Sequence, residues 1–307
     1  MVRISVVICT WNRARLLATT LETVLAAQAR MQSPAEVIVV NNNCTDETDS
    51  IIWQFAKRMR LQRVFEPKAG LSHARNAAIE AATGDYIVWT DDDVLVDSEW
   101  LISYEAAFRS YPDASFFGGP ITPEFEGEPP TWLLKAWADI ATAYATRDFG
   151  DEPFLFEPAR LPFGANFAMR TSEQKSVRYD PRFGRQPSDY WLGGDEQQVL
   201  SALLTAGRRG WWVPNARIRH WIPRCRQTTA YLRQYFAGWG RTQVIQEPAP
   251  GSGRPVRLWL AWINSELRYR CLCATTGPET WVPALARSSE AWGMWQGSDC
   301  RGQLSRS

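Results

Sequence analysis

The first 120 residues alternate short apolar segments, rich in β-branched residues, with stretches whose apolar residues recur at helical spacing. The apolar runs predict strands at 4–9, 36–40, 61–65, 85–90 and 114–118, with helices over most of the intervening segments. Strands that alternate with helices favour repeated β-α-β units, in which consecutive strands run parallel. The sequence therefore predicts an α/β fold with a mainly parallel central sheet flanked by helices.

The chain after residue 120 has a different pattern. Pro, Glu and aromatic residues are frequent between 119 and 160, which is typical of loops and short helices. Further predicted elements are strands at 163–169, 211–213 and 217–220 and helices at 196–204, 229–236 and 256–269, before a weakly patterned end. We expect residues 121–227 to complete the domain begun by 1–120, and residues 228–307 to form a helical C-terminal extension.

Three consecutive aspartates, Asp91, Asp92 and Asp93, follow the most apolar predicted strand. Like charges this close repel one another unless a cation or several hydrogen-bond donors offset them. Mg²⁺ and Mn²⁺ prefer carboxylate oxygens and often share their coordination shell with substrate phosphates. Because open α/β sheets bind ligands where their strands end, the position favours a metal and phosphate site over an ordinary surface turn.

Two further polar groups could belong to such a site. His220, one of only two histidines, follows a predicted strand and has arginines on both sides. It could bind metal or phosphate or have a structural role, but two histidines exclude a multi-histidine zinc site. Asp195 and Glu196 begin a predicted helix, where they serve either as ordinary helix N-terminal residues or as a general base.

Six segments, in this order and spacing, resemble the family 2 glycosyltransferases, which have the Rossmann-like GT-A fold. The matching segments are SVVICTWNR (5–13), EVIVVNNNCTDET (36–48), GLSHARNAAIEAATGDYIVWTDDDV (70–94), FGANFAMR (163–170), GGDEQQVL (193–200) and RHWIPRCR (219–226). The resemblance extends to about residue 245. It implies that residues 1–120 bind a nucleotide sugar and that residues 121–227 bind the acceptor and carry catalytic groups.

The resemblance implies a binding site for the sugar donor. Asn41 stands where many family members have an aspartate that accepts a hydrogen bond from uracil, and an amide oxygen can accept the same bond, so a UDP-sugar is favoured. Arg75 is expected near the base or the phosphates. The residues implied to bind the donor are Thr10, Trp11, Asn12, Arg13, Asn41, Arg75, Asp91 and Asp92.

The resemblance also implies a bound Mn²⁺ or Mg²⁺. Asp91 and Asp93 match the first and last aspartates of the family's DxD motif, and Asp93 is the expected metal ligand. His220 matches a histidine that often helps to bind the metal or the diphosphate. Arg224 and Arg226, in the same segment, are expected at the diphosphate.

The expected reaction is an inverting transfer, in which a base removes a proton from an acceptor hydroxyl and the oxygen attacks the anomeric carbon. The family usually has Glu–Asp at this point, and the second residue is the base. Here the order is inverted, so position favours Glu196 and residue type favours Asp195.

We therefore expect a metal-dependent glycosyltransferase of the hexosyltransferase type, acting on a glycan, a glycolipid or another polysaccharide precursor. One alternative is an inactive partner or a sensor that binds nucleotide sugars, which the inverted Asp195–Glu196 order would suit. Another is a nucleotidyltransferase, but no glycine-rich phosphate loop with a downstream lysine follows the first strand.

The net charge of +1 combines −4 for residues 1–120, −5 for 121–200 and +10 for 201–307. This balance argues against a nucleic-acid partner, while the basic last segment suits a diphosphate or an anionic acceptor. No apolar run approaches 18 residues, so we expect a cytoplasmic protein. Residues 256–270 combine tryptophans with arginines, which fits a peripheral helix on the inner membrane face or a helix packed on the catalytic domain or on a homodimer partner.

Overall fold

The computed structural model describes residues 2–32, 35–185, 192–246 and 256–304. Within these ranges the strands are β1 (Ile4–Thr10), β2 (Glu36–Asn41), β3 (Leu61–Phe65), β4 (Tyr86–Asp91), β5 (Val94–Val96), β6 (Phe116–Gly118), β7 (Ile121–Phe125), β8 (Asn166–Arg170), β9 (Gly210–Trp212) and β10 (Ile218–Ile222). The α-helices are α1 (Ala14–Gln28), α2 (Thr48–Ala56), α3 (Leu71–Ala81), α4 (Trp100–Ser110), α5 (Thr131–Lys135), α6 (Trp137–Ile140), α7 (Thr171–Ser176), α8 (Asp195–Thr205), α9 (Thr229–Gln246), α10 (Val256–Thr275) and α11 (Pro278–Leu304).

The chain forms two compact units, each built from separate stretches of sequence. Unit 1 comprises Met1–Glu124, Ala145–Arg182 and Asp195–Trp221. Unit 2 comprises Phe125–Tyr144, Phe183–Gly194 and Ile222–Ser307. The expected division of the chain into 1–120, which binds the nucleotide sugar, 121–227, which binds the acceptor, and the extension 228–307 stays a prediction.

Unit 1 contains a seven-stranded sheet in the order β3-β2-β1-β4-β8-β6-β9. Strand β1 pairs in parallel with β2 and β4, whereas β8 is antiparallel to both of its neighbours. Side chains alternate between two cores, because successive residues of a strand point to opposite faces: Val88 of β4 joins one apolar cluster, and Ile87 and Trp89 join the other. The predicted α/β fold with a mainly parallel sheet is confirmed.

Asn166 of β8 is a fully buried polar residue that ties several segments of unit 1 together. Its amide nitrogen donates to the carbonyl oxygens of Pro120 and Ala216, at 2.9 and 2.7 Å. Its amide oxygen accepts hydrogen bonds from Trp100 and Tyr104, at 2.9 and 2.8 Å. All the hydrogen-bonding capacity of this buried side chain is used, which indicates a structural role.

Unit 2 contains the helices of the C-terminal extension, and the predicted helical C-terminus is confirmed. The weakly patterned end after residue 269 is also helical: α10 continues to Thr275 and α11 runs from Pro278 to Leu304. Helix α11 packs on α9 at glycines: a Cβ on Gly240 would lie 2.0 Å from the Glu290 carbonyl oxygen, and one on Gly293 would lie 1.9 Å from that of Ala237. Since glycines make this contact, the apolar periodicity is weak. No described helix is both long enough and apolar enough to cross a bilayer.

A glycine-to-alanine change inside a helix normally stabilises a protein by about 0.5–1 kcal/mol. For Gly293→Ala we expect the opposite, a loss of about 1–3 kcal/mol in unfolding free energy, because the new methyl group must push α9 and α11 apart. Urea unfolding measures this loss. Gly297→Ala is the matched control, with its nearest atom at 3.1 Å, and should lose less. Stability of Gly293→Ala at or above that of the wild type would contradict the close helix contact.

Candidate active site

The three aspartates lie at the end of β4, inside the large sheet, where the chain turns into β5. Asp91 is partly exposed, whereas Asp92 and Asp93 are each only 4% exposed. Carboxylates buried to this extent need partners within the protein, because water cannot offset their charge.

Arg13, just before α1, is one such partner. Its Nη1 donates to an oxygen of Asp92 and to an oxygen of Asp93, at 2.9 Å each. The Thr10 hydroxyl donates to the other oxygen of Asp92 at 2.7 Å. Burial raises the pKa of Asp92 to about 6, and the Arg13 charge opposes that rise. Thr10 and Arg13, both expected at the nucleotide, therefore hold the aspartates.

His220 reaches the aspartates through strand pairing. Strand β10 runs antiparallel to β5, with His220 opposite Val94, and the Trp221 amide donates to the Asp93 carbonyl oxygen at 2.8 Å. This pairing places His220 Nε2 3.3 Å from a carboxylate oxygen of Asp93. The histidine is buried, and its Nδ1 has no hydrogen-bond partner among the described residues.

Asp91, Asp93 and His220 together fit a divalent metal ion. Each offers one ligand atom, and the three atoms lie within 4.8 Å of one another. Two carboxylates and an imidazole suit Mn²⁺, and the carboxylates also suit Mg²⁺. Asp91, expected to bind the sugar donor, is thus grouped with Asp93 and His220, the two expected metal ligands.

The loops after β1 and β2 contact each other at the same edge of the sheet. Asn12 has a φ of 52°, and its side-chain oxygen accepts a hydrogen bond from the Thr45 amide at 2.7 Å. Asn41 is buried, and its side-chain oxygen accepts from the Cys44 amide at 2.8 Å. Trp11 is 46% exposed. The side chains of Asn12 and Asn41 thus fix the conformation of the two loops through hydrogen bonds. The Trp11 ring, in contrast, presents an exposed apolar surface.

Asp195 and Glu196, at the start of α8, lie against the buried guanidinium of Arg75 from α3. Arg75 Nη1 forms an ion pair with Asp195 and is 3.7 Å from a carboxylate oxygen of Glu196. Both members of the Arg75–Asp195 pair are about 95% buried. Arg75 thus has its closest ionic contact with one of the two candidate bases, and its expected place near the nucleotide base or the phosphates stays a prediction.

Burial and neighbouring charges change the proton affinity of Glu196. Burial and then the Asp195 charge raise its pKa, which Arg75 lowers by less, to about 8. Burial opposes the charge of Arg75, but Asp195 and the other groups around the guanidinium together hold the Arg75 pKa above its ordinary value. Asp195 is therefore the closest ionic partner of Arg75, and Glu196 carries a carboxyl with a raised pKa.

Two residues of this cluster were not singled out from the sequence. A Cβ on Gly164 would lie 2.5 Å from Arg75 Nη2 and 3.4 Å from the Glu196 carboxyl carbon, so only glycine leaves room for both groups. The Tyr179 ring lies 5.1 Å from the Arg75 guanidinium carbon. The FGANF segment was a usable signal for Gly164, whereas no sequence pattern pointed to Tyr179.

The metal-ligand set and the Asp195–Glu196 pair lie near the same end of β4. The Thr90 hydroxyl, next to Asp91, donates to the Ala165 carbonyl oxygen at 3.0 Å, and the preceding Gly164 lies against Arg75 and Glu196. Both groups of carboxylates thus belong to one region of unit 1.

Arg224 and Arg226 lie in unit 2, in a short 3₁₀ helix. The Arg224 backbone amide donates to the Glu126 carboxylate at 2.9 Å, and its side chain is exposed. Their expected contact with a diphosphate stays a prediction.

Comparisons with known proteins identify the family of this chain. The family model described as Glycosyl transferase family 2 matches residues 5–172. A relative, succinoglycan biosynthesis protein ExoM of Rhizobium meliloti (strain 1021), is 22% identical over 93% of this chain and 87% of its own length. The chain belongs to glycosyl transferase family 2 and is a glycosyltransferase.

Solved structures agree on the GT-A fold. The mannosyltransferase PcManGT of Pyrobaculum calidifontis, in complex with GDP-Man and Mn²⁺, matches with a TM-score of 0.58 at 17% identity, over 100% of this chain and 88% of its own. Residues 1–349 of S. aureus TarS, in complex with UDP-GlcNAc, match with a TM-score of 0.52 at 14% identity, over 98% and 92%.

Replacing Arg75 with methionine should leave the buried Asp195 carboxylate without its cation and cost about 3–5 kcal/mol of unfolding free energy. The double variant Arg75→Met/Asp195→Asn removes that charge as well and should recover most of the loss. Urea unfolding at neutral pH compares the two. A double variant no more stable than Arg75→Met would contradict the buried ion pair.

Proposed function

We propose that this glycosyltransferase inverts the anomeric centre, moving a sugar from a nucleoside diphosphate sugar to an acceptor hydroxyl with a divalent metal ion and Glu196 as the base. The observation that carries the proposal is that a metal-ligand set and Glu196, a carboxyl with a raised pKa, lie near the same end of β4. A general base with a pKa near the working pH is the most effective, and Glu196, whose pKa is about 8, meets this condition.

The proposed reaction assigns each carboxyl a separate task. Ionised Glu196 accepts the proton of the acceptor hydroxyl. The oxygen of that hydroxyl bonds to the anomeric carbon, and the bond from the same carbon to the diphosphate breaks on the opposite face. Asp195 forms an ion pair with Arg75, and its charge raises the proton affinity of Glu196. Asp195 is a positioning residue in this scheme.

Asp91, Asp93 and His220 would hold the metal ion, whose positive charge would offset the negative charge that develops on the leaving diphosphate. Arg13 keeps Asp92 and Asp93 in place from the opposite side. Arg224 and Arg226 are further candidates for contact with the diphosphate.

The donor is proposed to be a UDP-sugar, with Trp11, Asn12 and Asn41 around the base and ribose. The TarS complex with UDP-GlcNAc supports this donor class, whereas PcManGT holds GDP-Man. The acceptor is proposed to be a glycan, a glycolipid or another polysaccharide precursor, which the name of the succinoglycan biosynthesis relative supports.

The rate of transfer should rise as the pH increases through about 8, because Glu196 must lose its proton to act as the base. Glu196→Gln should lower the rate by about 10²–10⁴-fold. Asp195→Asn removes the charge that raises the Glu196 pKa, so its pH profile should shift to lower pH with transfer retained. Initial rates over a range of pH values measure all three.

The reverse result, an active Glu196→Gln and an inactive Asp195→Asn, would assign the base to Asp195. Donor binding without turnover at any pH would favour the sensor or inactive partner instead.

Mn²⁺ binding, followed by electron paramagnetic resonance of the free ion, should weaken at least about tenfold in Asp91→Asn and in Asp93→Asn. Asp113→Asn, at an exposed carboxylate outside the site, is the control and should bind as the wild type does. UDP-sugars with Mn²⁺ should raise the melting temperature of the wild type more than GDP-sugars do. Unchanged Mn²⁺ affinity in both site variants would rule out this ligand set.

A further inference from the structure

Helix α10 packs against α11 with one face. The Trp262 ring lies 4.5 Å from that of Trp292 and 5.9 Å from that of Trp295. One turn further on, Glu266 accepts a hydrogen bond from the Ser288 hydroxyl at 2.7 Å. Residues four apart lie on the same side of a helix, so this side is the packed face of α10.

The solvent-exposed side of α10, next to this packed face, carries a row of apolar side chains, most of them three or four residues apart. We name this row the α10 stripe: Val256, Trp259, Leu260, Ile263 and Leu267. Val256 is 70% exposed, Leu260 47% and Leu267 60%, and no residue of α10 is buried. An apolar row this exposed is unfavourable in water and is typical of an interaction surface.

Arginines lie beside and within the stripe. On a helical projection Arg257 and Arg268 fall along one side of it, and Arg270 falls between Trp259 and Ile263. Glu266, the sole acidic residue in the α10 sequence, is on the packed face and accepts a hydrogen bond from Arg270 at 3.0 Å. The exposed side thus combines an apolar row with basic residues.

This charge pattern disfavours pairing of the stripe with a second copy of itself. An antiparallel pair would bring Arg257 of one copy close to Arg268 and Arg270 of the other, and a parallel pair would bring identical arginines together. Like charges opposed across an interface weaken it. An anionic surface would instead attract all three arginines.

We propose that α10 is a membrane-surface anchor, whose apolar stripe enters the interface of a bilayer while its arginines contact anionic lipid head groups. A helix that combines an apolar face containing a tryptophan with arginines on its polar face lies in the plane of such an interface. The inference is independent of the proposed transfer reaction, because it concerns unit 2 alone.

Sedimentation of the full chain with lipid vesicles tests the anchor. The wild type should bind vesicles of phosphatidylcholine with about one-third phosphatidylglycerol and bind pure phosphatidylcholine much more weakly. Leu260→Asp/Leu267→Asp should reduce binding to the anionic vesicles at least about tenfold. Leu134→Asp, at a 52% exposed leucine of α5, is the matched control and should bind as the wild type does.

The arginines have a separate test. Arg257→Gln/Arg268→Gln should lose the preference for anionic vesicles while its weak binding to neutral vesicles remains. Retention of that preference would overturn the assigned role of the arginines.

Two results would overturn the anchor itself. One is equal vesicle binding by the wild type and Leu260→Asp/Leu267→Asp, including no binding by either. The other is a dimer in light scattering that dissociates in that variant, which would assign the stripe to a second copy. Circular dichroism checks that each variant folds. Vesicle binding without any glycosyl transfer would count against the proposed function alone.

Discussion

The negative charge that β4 brings to the edge of the sheet is the constraint on which the site depends. Asp92 and Asp93 are buried there, so polar and charged groups from elsewhere in the chain must contact them. Arg13 arrives from the loop after β1, and His220 arrives because β10 pairs with β5 directly after the aspartates. Meeting this electrostatic requirement brings together the groups that are proposed to bind a metal ion and a diphosphate.

Arg75 meets a similar requirement at the start of α8, but only in part. It is one cation facing two carboxyl groups, and its ion pair with Asp195 is closer than its 3.7 Å contact with Glu196. Burial and the neighbouring Asp195 charge therefore leave Glu196 with a raised proton affinity. A carboxyl whose pKa is raised in this way is suited to acid–base chemistry.

Periodicity in the sequence predicted the strands and helices of unit 1 well, because each of these elements buries an apolar row. It failed for α11, where Gly240 and Gly293 let two helix backbones touch, so that the contact leaves no apolar pattern. It also could not show that β8 lies antiparallel between β4 and β6, since strand order depends on pairings between distant segments.

The sequence alone determined which chemical groups are available: three aspartates after an apolar strand, an Asp195–Glu196 pair before a helix, and a helix rich in tryptophan and arginine. Tertiary structure decided how these groups pair. It placed Arg13 against Asp92 and Asp93, grouped Asp91 with the metal-ligand set and paired Asp195 with Arg75. The reason is physical: residue types are local, whereas ion pairs, burial and proton affinities depend on which distant segments the sheet brings together.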